Sequence, residues 1–579
     1  MPTRKLILLF LSILTLNLLL SCHGATPTLV FATPTPPTPS PAASKTIPTA
    51  FVPPDSPTPP PAATQTPAPS PAPPYTTAPT PLPRGGSIVE AGQFEISTLN
   101  PLLAAADDEL ARAVGGLLFD SLLHVNAQTA ALMPGLARDW KVSEDGRVFT
   151  FHLRPDAAWH DGKAFSAADV TLTLALAGDP EGPSPYRFDL ARIIEVKAPD
   201  SATIVVTVDE PGCDTLYAVG RVPILPRHLL EGQALDEAAS FNRHPVGTGP
   251  FAFDAWNSDG SLALTANQNY WAGRPRLDSW TYRVAQDLKG AHLARLPNDA
   301  ETESLPEGWR SISYPAENWH FLALNNDHPI LSDPAVRRAL AMALDRKRLL
   351  EAVLDAQGTL MDSPWLAEHW AVEGASLAPL PYDPDQARRL LADAGWRDTD
   401  GDGLLEKDGT GLNLSLSANA GNTAREQIAV LVQQYWHAIG VSAQVEVLPW
   451  GVFLDDLFNH TFDVAVFDWP LEPGPDQTWL WAAGENEPGS GFNFCSYASA
   501  EADALLEQGR AAHACDPARR AAAYRDLAQH LAADQPYIFL FAAHRQLGVS
   551  QNLLGPQPGA YAGLYWNIAE WHLTDSNRQ

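Results

Sequence analysis

Hydrophobic and polar positions change rhythm three times along this chain of 579 residues. Arg4 and Lys5 precede an apolar run from Leu6 to Leu20. A long stretch without periodicity follows, and from about Gly85 segments of helical and strand period alternate to the end. Asp333-Pro334 predicts a helix start, with a carboxylate at the cap, proline at the first position and apolar residues at Val336, Leu340, Ala343 and Leu344. Asp383-Pro384 repeats the device, and that helix is expected to end at Gly395. Strands are predicted at Thr203 to Val208, Phe321 to Leu324 and Phe462 to Phe467, the last with Val-Ala-Val bounded by Asp463 and Asp468. Such alternation points to mixed α/β lobes.

The opening run has a core of roughly 15 residues, short of the about 20 that a spanning helix needs, so it reads as an export signal. Its end, Leu19-Leu20-Ser21-Cys22, has the small residue before cysteine that a lipoprotein signal peptidase accepts. Cleavage leaves Cys22 as the acylated N-terminus. From Ala25 to Arg84 the chain is mostly Pro, Thr, Ala and Ser, which cannot bury enough apolar surface to fold. In polyproline II, at about 3.1 Å per residue, about 60 such residues reach as far as roughly 180 Å. The segments expected are therefore a signal at 1–22 and a linker at 23–84.

A formal charge of -29 disfavours nucleic acid and anionic membrane surfaces as partners, since both call for clustered Lys and Arg. With Cys22 committed to lipid, Cys213, Cys495 and Cys515 remain, enough for one disulfide, with Cys495 to Cys515 the pairing considered. No spacing among them suits a metal.

The body carries an ordered set of short patterns. They include Ser97-Thr98-Leu99-Asn100-Pro101, Pro134-Gly135-Leu136-Ala137, Trp159-His160-Asp161-Gly162, Ala167-Ala168-Asp169-Val170, Pro245-Val246-Gly247-Thr248-Gly249-Pro250-Phe251, Leu322-Ala323-Leu324-Asn325 and Val336-Arg337-Arg338-Ala339-Leu340. Together and in this order they resemble the family 5 extracellular solute-binding proteins, the oligopeptide- and dipeptide-binding subunits of ABC importers, over Gly85 to Trp571. Read physically, most are scaffold. Gly247 and Gly249 form a tight turn, Trp159 is a buried aromatic over a turn, and His160 beside Asp161 is no catalytic pair.

The resemblance implies a two-lobed periplasmic-binding-protein-like α/β fold with an extra subdomain inserted in lobe I. Lobe I is expected at 85–132, 225–318 and 538–579, the insert at 133–224 and lobe II at 319–537. Ligand lies between lobes that close over it, and the closed form is read by a permease and ATPase on separate chains. The receptor is expected to be a monomer without cofactor or metal. Peptide binders of the family hold a peptide as an added strand and pair its amino terminus with an Asp three residues after a Trp. Here Trp469 is that tryptophan and Glu472 holds the acidic place. The family's dipeptide binders carry an Arg in the loop that here reads Ala418-Asn419-Ala420-Gly421-Asn422, where none is present; Arg425 lies a turn into the next predicted helix. That departure argues against a strict dipeptide binder and leaves longer peptides, amine-bearing solutes and sugars open. Trp479 and Trp481, with Trp365 and Trp370 as lesser candidates, offer faces for sugars, aromatic groups or cations.

Asp398-Thr399-Asp400-Gly401-Asp402-Gly403 begins like a calcium loop, but Gly409 stands where a bidentate Glu is required, so it reads as an acidic turn. Arg337, Arg338, Arg346, Lys347 and Arg348 read as the wet face of a helix. No G-x-S-x-G elbow or H-E-x-x-H motif is present, and no enzyme is expected. A sensor that keeps the binding fold without transport is the remaining alternative.

Overall fold

The computed structural model describes residues 84–105, 108–236, 239–285, 287–296, 305–377 and 379–574. The signal, Cys22 and nearly all of the Pro/Thr-rich stretch lie outside the described residues. Among those described, no helix is long and apolar enough to cross a membrane.

The principal strands are β1 (Ser87–Gly92), β2 (Ala137–Val142), β3 (Val148–Leu153), β4 (Ile193–Asp200), β5 (Thr203–Val208), β6 (Phe251–Trp256), β7 (Leu262–Ala266), β8 (Ser279–Val284), β9 (Leu293–Leu296), β10 (Trp309–Leu324), β11 (Asn413–Asn419), β12 (Ser442–Leu448), β13 (Val464–Pro470) and β14 (Tyr537–Ser550). The helices are α1 (Thr215–Gly220), α2 (Pro334–Met342), α3 (Pro384–Asp393), α4 (Thr423–His437), α5 (Ala500–Arg510) and α6 (Pro517–Asp534). One sheet runs through both lobes in the order β12-β11-β13-β10-β14-β9-β1-β8-β7-β6, and β2-β3-β5-β4 form a separate four-stranded sheet.

Two long strands lie side by side in the middle of the larger sheet. β10 and β14 are 16 and 14 residues and pair antiparallel, first from Trp309↔Ser550 to Pro315↔His544 and again from Trp319↔Ala542 to Ala323↔Tyr537. The register shifts between Pro315 and Trp319. An irregularity there lets a paired ribbon bend without losing its ladder.

One apolar core lies under β1, β6 to β9 and the four-stranded sheet, and two more cover opposite faces of the β13 half. Val464 and Val466 of β13 enter one of these, and Ala465, Phe467 and Trp469 the other. Burial on both faces explains why this strand reads as a continuous apolar run. Asp333 and Asp383 cap α2 and α3 as expected, accepting from Ala335 N at 2.8 Å and Gln386 N at 2.8 Å. Gly395 follows α3 at φ +94°. Trp159 is buried, and a Cβ on Gly247 would stand 1.7 Å from Leu118 O, so that glycine is required by close approach.

Three expectations need correction. The strand expected to end before Asp468 runs on to Pro470, because a buried arginine neutralises Asp468 within it. Of the basic cluster, Arg337 is 3% exposed and pairs with Asp534 at 2.8 Å, while Arg346 pairs with Asp362 at 2.7 Å; both clamp neighbouring chain instead of facing water. The disulfide joins Cys213 to Cys515, and Cys495 is a buried free thiol whose Sγ lies 3.4 Å from Asn493 Oδ1. Cys495 is packed in the aromatic core beside β13, away from the α5–α6 turn that carries Cys515.

Candidate ligand cleft

β13 supplies an open edge. Its pairing with β10 is complete from Asn318↔Pro470 to Leu324↔Val464. On its other side the parallel ladder to β11 holds only Leu416↔Val464 and Ser417↔Ala465, and the described strands then part. Among the described residues no second strand pairs with β13 beyond Ala465, at the place where β11 stops at Asn419.

A charged network closes the gap between the two strand ends. Arg425, in the first turn of α4, gives Nε and Nη2 to Asp468 Oδ2 at 3.1 and 2.8 Å, and Nη1 to Asn419 Oδ1 at 2.7 Å. Its guanidinium lies 4.5 Å from the centre of the Phe467 ring. Asn422 caps α4 by accepting from Arg425 N at 3.1 Å, so the cap fixes where the arginine starts. His320 Nδ1 stands 3.6 Å from Asp468 Oδ2, and burial holds the imidazole below its ordinary pKa. With the Arg425 and Asp468 side chains 7% and 14% exposed, removing either charge would strand the other. In the sequence Asp468 marks only a strand boundary, His320 carries no signal, and Arg425 lies a turn into its helix. The signal the sequence does carry is one acidic residue inside an otherwise apolar strand, which demands a buried cation.

Glu472 is half-buried on the loop after β13, between buried Leu471 and Pro473. The loop is pinned from several sides. His369 Nε2 donates to Pro473 O at 3.1 Å, and Asp476 N donates to Asp214 Oδ2 at 3.1 Å. Asp476 itself accepts from Thr478 N at 3.0 Å, and burial raises its pKa.

Of the candidate aromatics, Trp469 and Trp481 are sealed in the core, 1% and 0% exposed. Trp479 is half-buried and meets Trp469 edge to face at 5.0 Å. Trp481 packs on Tyr537 at 4.7 Å and donates to Gln477 Oε1 at 2.9 Å. Trp365 is also core, and Trp370 Nε1 donates to Tyr217 OH at 2.8 Å. The structure thus brings Asn419 together with Arg425, and Trp469 with Trp479. Elsewhere, Asp398, Asp400 and Glu406 hold carboxylate oxygens within 4.8 Å of one another. Asp398 there accepts from Gly401 N at 2.6 Å and Gly403 N at 3.0 Å, the bonds of an acidic turn.

Residues 131–491 match the family model for bacterial extracellular solute-binding proteins, family 5, middle region. The oligopeptide-binding protein AppA of Bacillus subtilis is 28% identical over 508 residues, 85% of this chain and 92% of its own. Protein XP55 of Streptomyces lividans is 30% identical over 470 residues, 78% and 83% of the two chains. The solved structure of AppA with a nonapeptide is similar at a TM-score of 0.60 and 26% identity, covering 85% of this chain and 100% of that one. NikZ from Campylobacter jejuni, in complex with Ni(L-His), reaches 0.63 at 26% identity over 84% and 99%. A sheet shared by two lobes, a paired-strand crossing between them and a family model that spans most of the body agree: the chain belongs to the bacterial extracellular solute-binding proteins, family 5.

Proposed function

We propose that this protein is a lipid-anchored receptor that binds peptides between its two lobes and delivers them to a membrane permease driven by a separate ATPase. The observation that carries the reading is the open edge of β13, which offers backbone N–H and C=O groups to an added strand beside Glu472. Main-chain bonds of that kind hold any sequence, as a peptide scavenger needs. Glu472 takes the ligand's ammonium, while Asn419 and the exposed part of Trp479 border the same strand ends. Arg425 already neutralises Asp468, so it is not a free anchor for a terminal carboxylate. The binding of a nonapeptide by AppA supports a preference for peptides longer than two residues. The segment boundaries read from the sequence belong to this proposal, with the crossing of β10 and β14 as the hinge between the lobes.

Calorimetric titration with di- to hexapeptides and a nonapeptide tests the reading. A charge-assisted bond contributes about 1.5–3 kcal/mol, so Glu472→Gln is expected to weaken peptide binding about 10- to 100-fold. Binding confined to sugars or chelated metal would overturn the ligand class, and peptide binding indifferent to Glu472 would overturn its role as the ammonium partner. The anchor has its own test. Cys22→Ala is expected to move the protein from the membrane fraction to the soluble extracytoplasmic fraction; retention on the membrane would rule out lipid at Cys22.

A further inference from the structure

The Glu472 loop is held by residues far from it in the chain. The four-stranded sheet β2–β5 leads through Asp209 to Gly212 into Cys213 and α1, and this connection is bonded to the lobe that carries β13. Cys213 forms the disulfide with Cys515 in the turn between α5 and α6, a sequence separation of 302 residues. Cys213 N donates to Arg510 O at 3.0 Å, and Arg510 Nη1 to Pro211 O at 3.3 Å. The next residue, Asp214, divides its two oxygens. Oδ1 takes the guanidinium of Arg520 on α6, whose side chain is 3% exposed, and Oδ2 takes the backbone N–H of Asp476. A Cβ on Gly474 would stand 2.4 Å from Asp214 Oδ2, so the loop packs directly on that carboxylate. Next to these, Tyr217 of α1 receives Trp370 Nε1 at 2.8 Å and donates to Ala130 O at 3.0 Å.

Two-lobed receptors open about the strands that cross between the lobes. In this chain the crossing of β10 and β14 is one connection, and the Cys213–Cys515 bond is a second, covalent one. Two fixed points leave rotation about the line through both as the cheap motion and oppose separation at the disulfide.

We propose that Cys213–Cys515 and Asp214 form a clasp that keeps the Glu472 loop docked against the β2–β5 unit while the rest of the cleft opens. The acidic handle is then preorganised before ligand arrives, and Asp214 is a positioning residue for Glu472. Binding has no loop to order, and a ligand leaves through the unclasped side. The role of Glu472 rests on the peptide-receptor reading above and the clasp on the hinge proposed with it, but the clasp does not depend on which ligand binds.

The test compares the oxidised protein with the same preparation reduced by a phosphine, with Cys213→Ser/Cys515→Ser, and with Asp214→Asn, which keeps the disulfide. Small-angle scattering without ligand reads the opening, circular dichroism reads the fold, and stopped-flow binding of a nonapeptide reads the rates. With circular dichroism unchanged, reduction is expected to enlarge the ligand-free radius of gyration and raise the nonapeptide dissociation rate about tenfold. Asp214→Asn is expected to leave the radius unchanged and lower the association rate, since the loop must then be ordered on binding. An identical scattering profile for folded oxidised and reduced protein would overturn the clasp, as would loss of the fold on reduction, which would make the bond a support and not a guide for motion. If no peptide binds while scattering still responds to reduction, the clasp stands and the ligand class falls.

Discussion

Trp469→Ala is expected to destabilise the protein by about 3–5 kcal/mol, the range for deleting a large aromatic from a packed core. The indole is 1% exposed. It meets Phe467 at 5.1 Å, Phe494 at 5.5 Å, Phe492 at 6.0 Å and Phe321 at 6.4 Å, and the edge of Trp479 at 5.0 Å. Alanine leaves those five rings facing a void that β13 and β10, paired through this point, cannot collapse to fill. Trp469→Phe keeps part of the contact and is expected to cost less, and half-buried Trp479→Ala less again. Urea unfolding at constant m-value measures the order. A Trp469→Ala midpoint equal to the parent's would mean that the indole is not packed as described.

Acid is expected to destabilise the fold through His369. Its ring is held as the neutral tautomer on both sides: Nε2 donates to Pro473 O at 3.1 Å, and Nδ1 accepts from Ala371 N at 3.2 Å. Burial is the main cause that lowers its pKa from 6.5 to about 4, with Arg520 adding to the shift and the bond to Pro473 opposing it. The unfolded chain therefore takes up a proton as pH falls through about 6.5, and the folded chain only near 4. Stability is complete above the unfolded value and declines between these limits by about 1.4 kcal/mol per unit, so about 2–3 kcal/mol is lost between pH 7.5 and 4.5. His160 and His320 are lowered by burial and act in the same sense, whereas Glu90 and Asp476 are raised and act in the opposite one. Urea unfolding of the parent and His369→Gln at the two pH values isolates the one group. Gln keeps a donor for Pro473 without titrating, so its stability is expected to fall less. Equal losses in the two proteins would show that His369 is not held neutral.

Signals in the sequence are legible where the physics is local. An Asp-Pro pair starts a helix because the carboxylate and the proline ring act on the same turn, and both such helices form where expected. β5 runs over Thr203–Val208, the residues that its apolar alternation marks. What the sequence does not display depends on partners remote in the chain. Nothing around Arg337 announces that Asp534 will meet it, so an arginine on a helix reads as wet although it is buried. Cys213 and Cys515 carry no mark of each other, whereas the nearer Cys495 offered a shorter loop. At the candidate site, Glu472 and Trp469 came from the family resemblance. The Arg425–Asp468 pair required seeing two strand ends side by side, which a linear sequence does not display.

The position of β14 has a consequence for how the molecule is made. This strand, Tyr537–Ser550, is near the end of the chain, yet it lies in the middle of the sheet and pairs with β9 at Leu293↔Val549 and with β10 in both lobes. Until it arrives, β10 and β9 present raw edges to each other's empty slot. Neither half can complete its sheet from its own earlier residues. Most native pairing here joins distant parts of the chain, a topology that folds slowly and leaves strand edges open meanwhile. A ribosome or translocon that still holds β14 therefore holds a protein whose central sheet is unfinished.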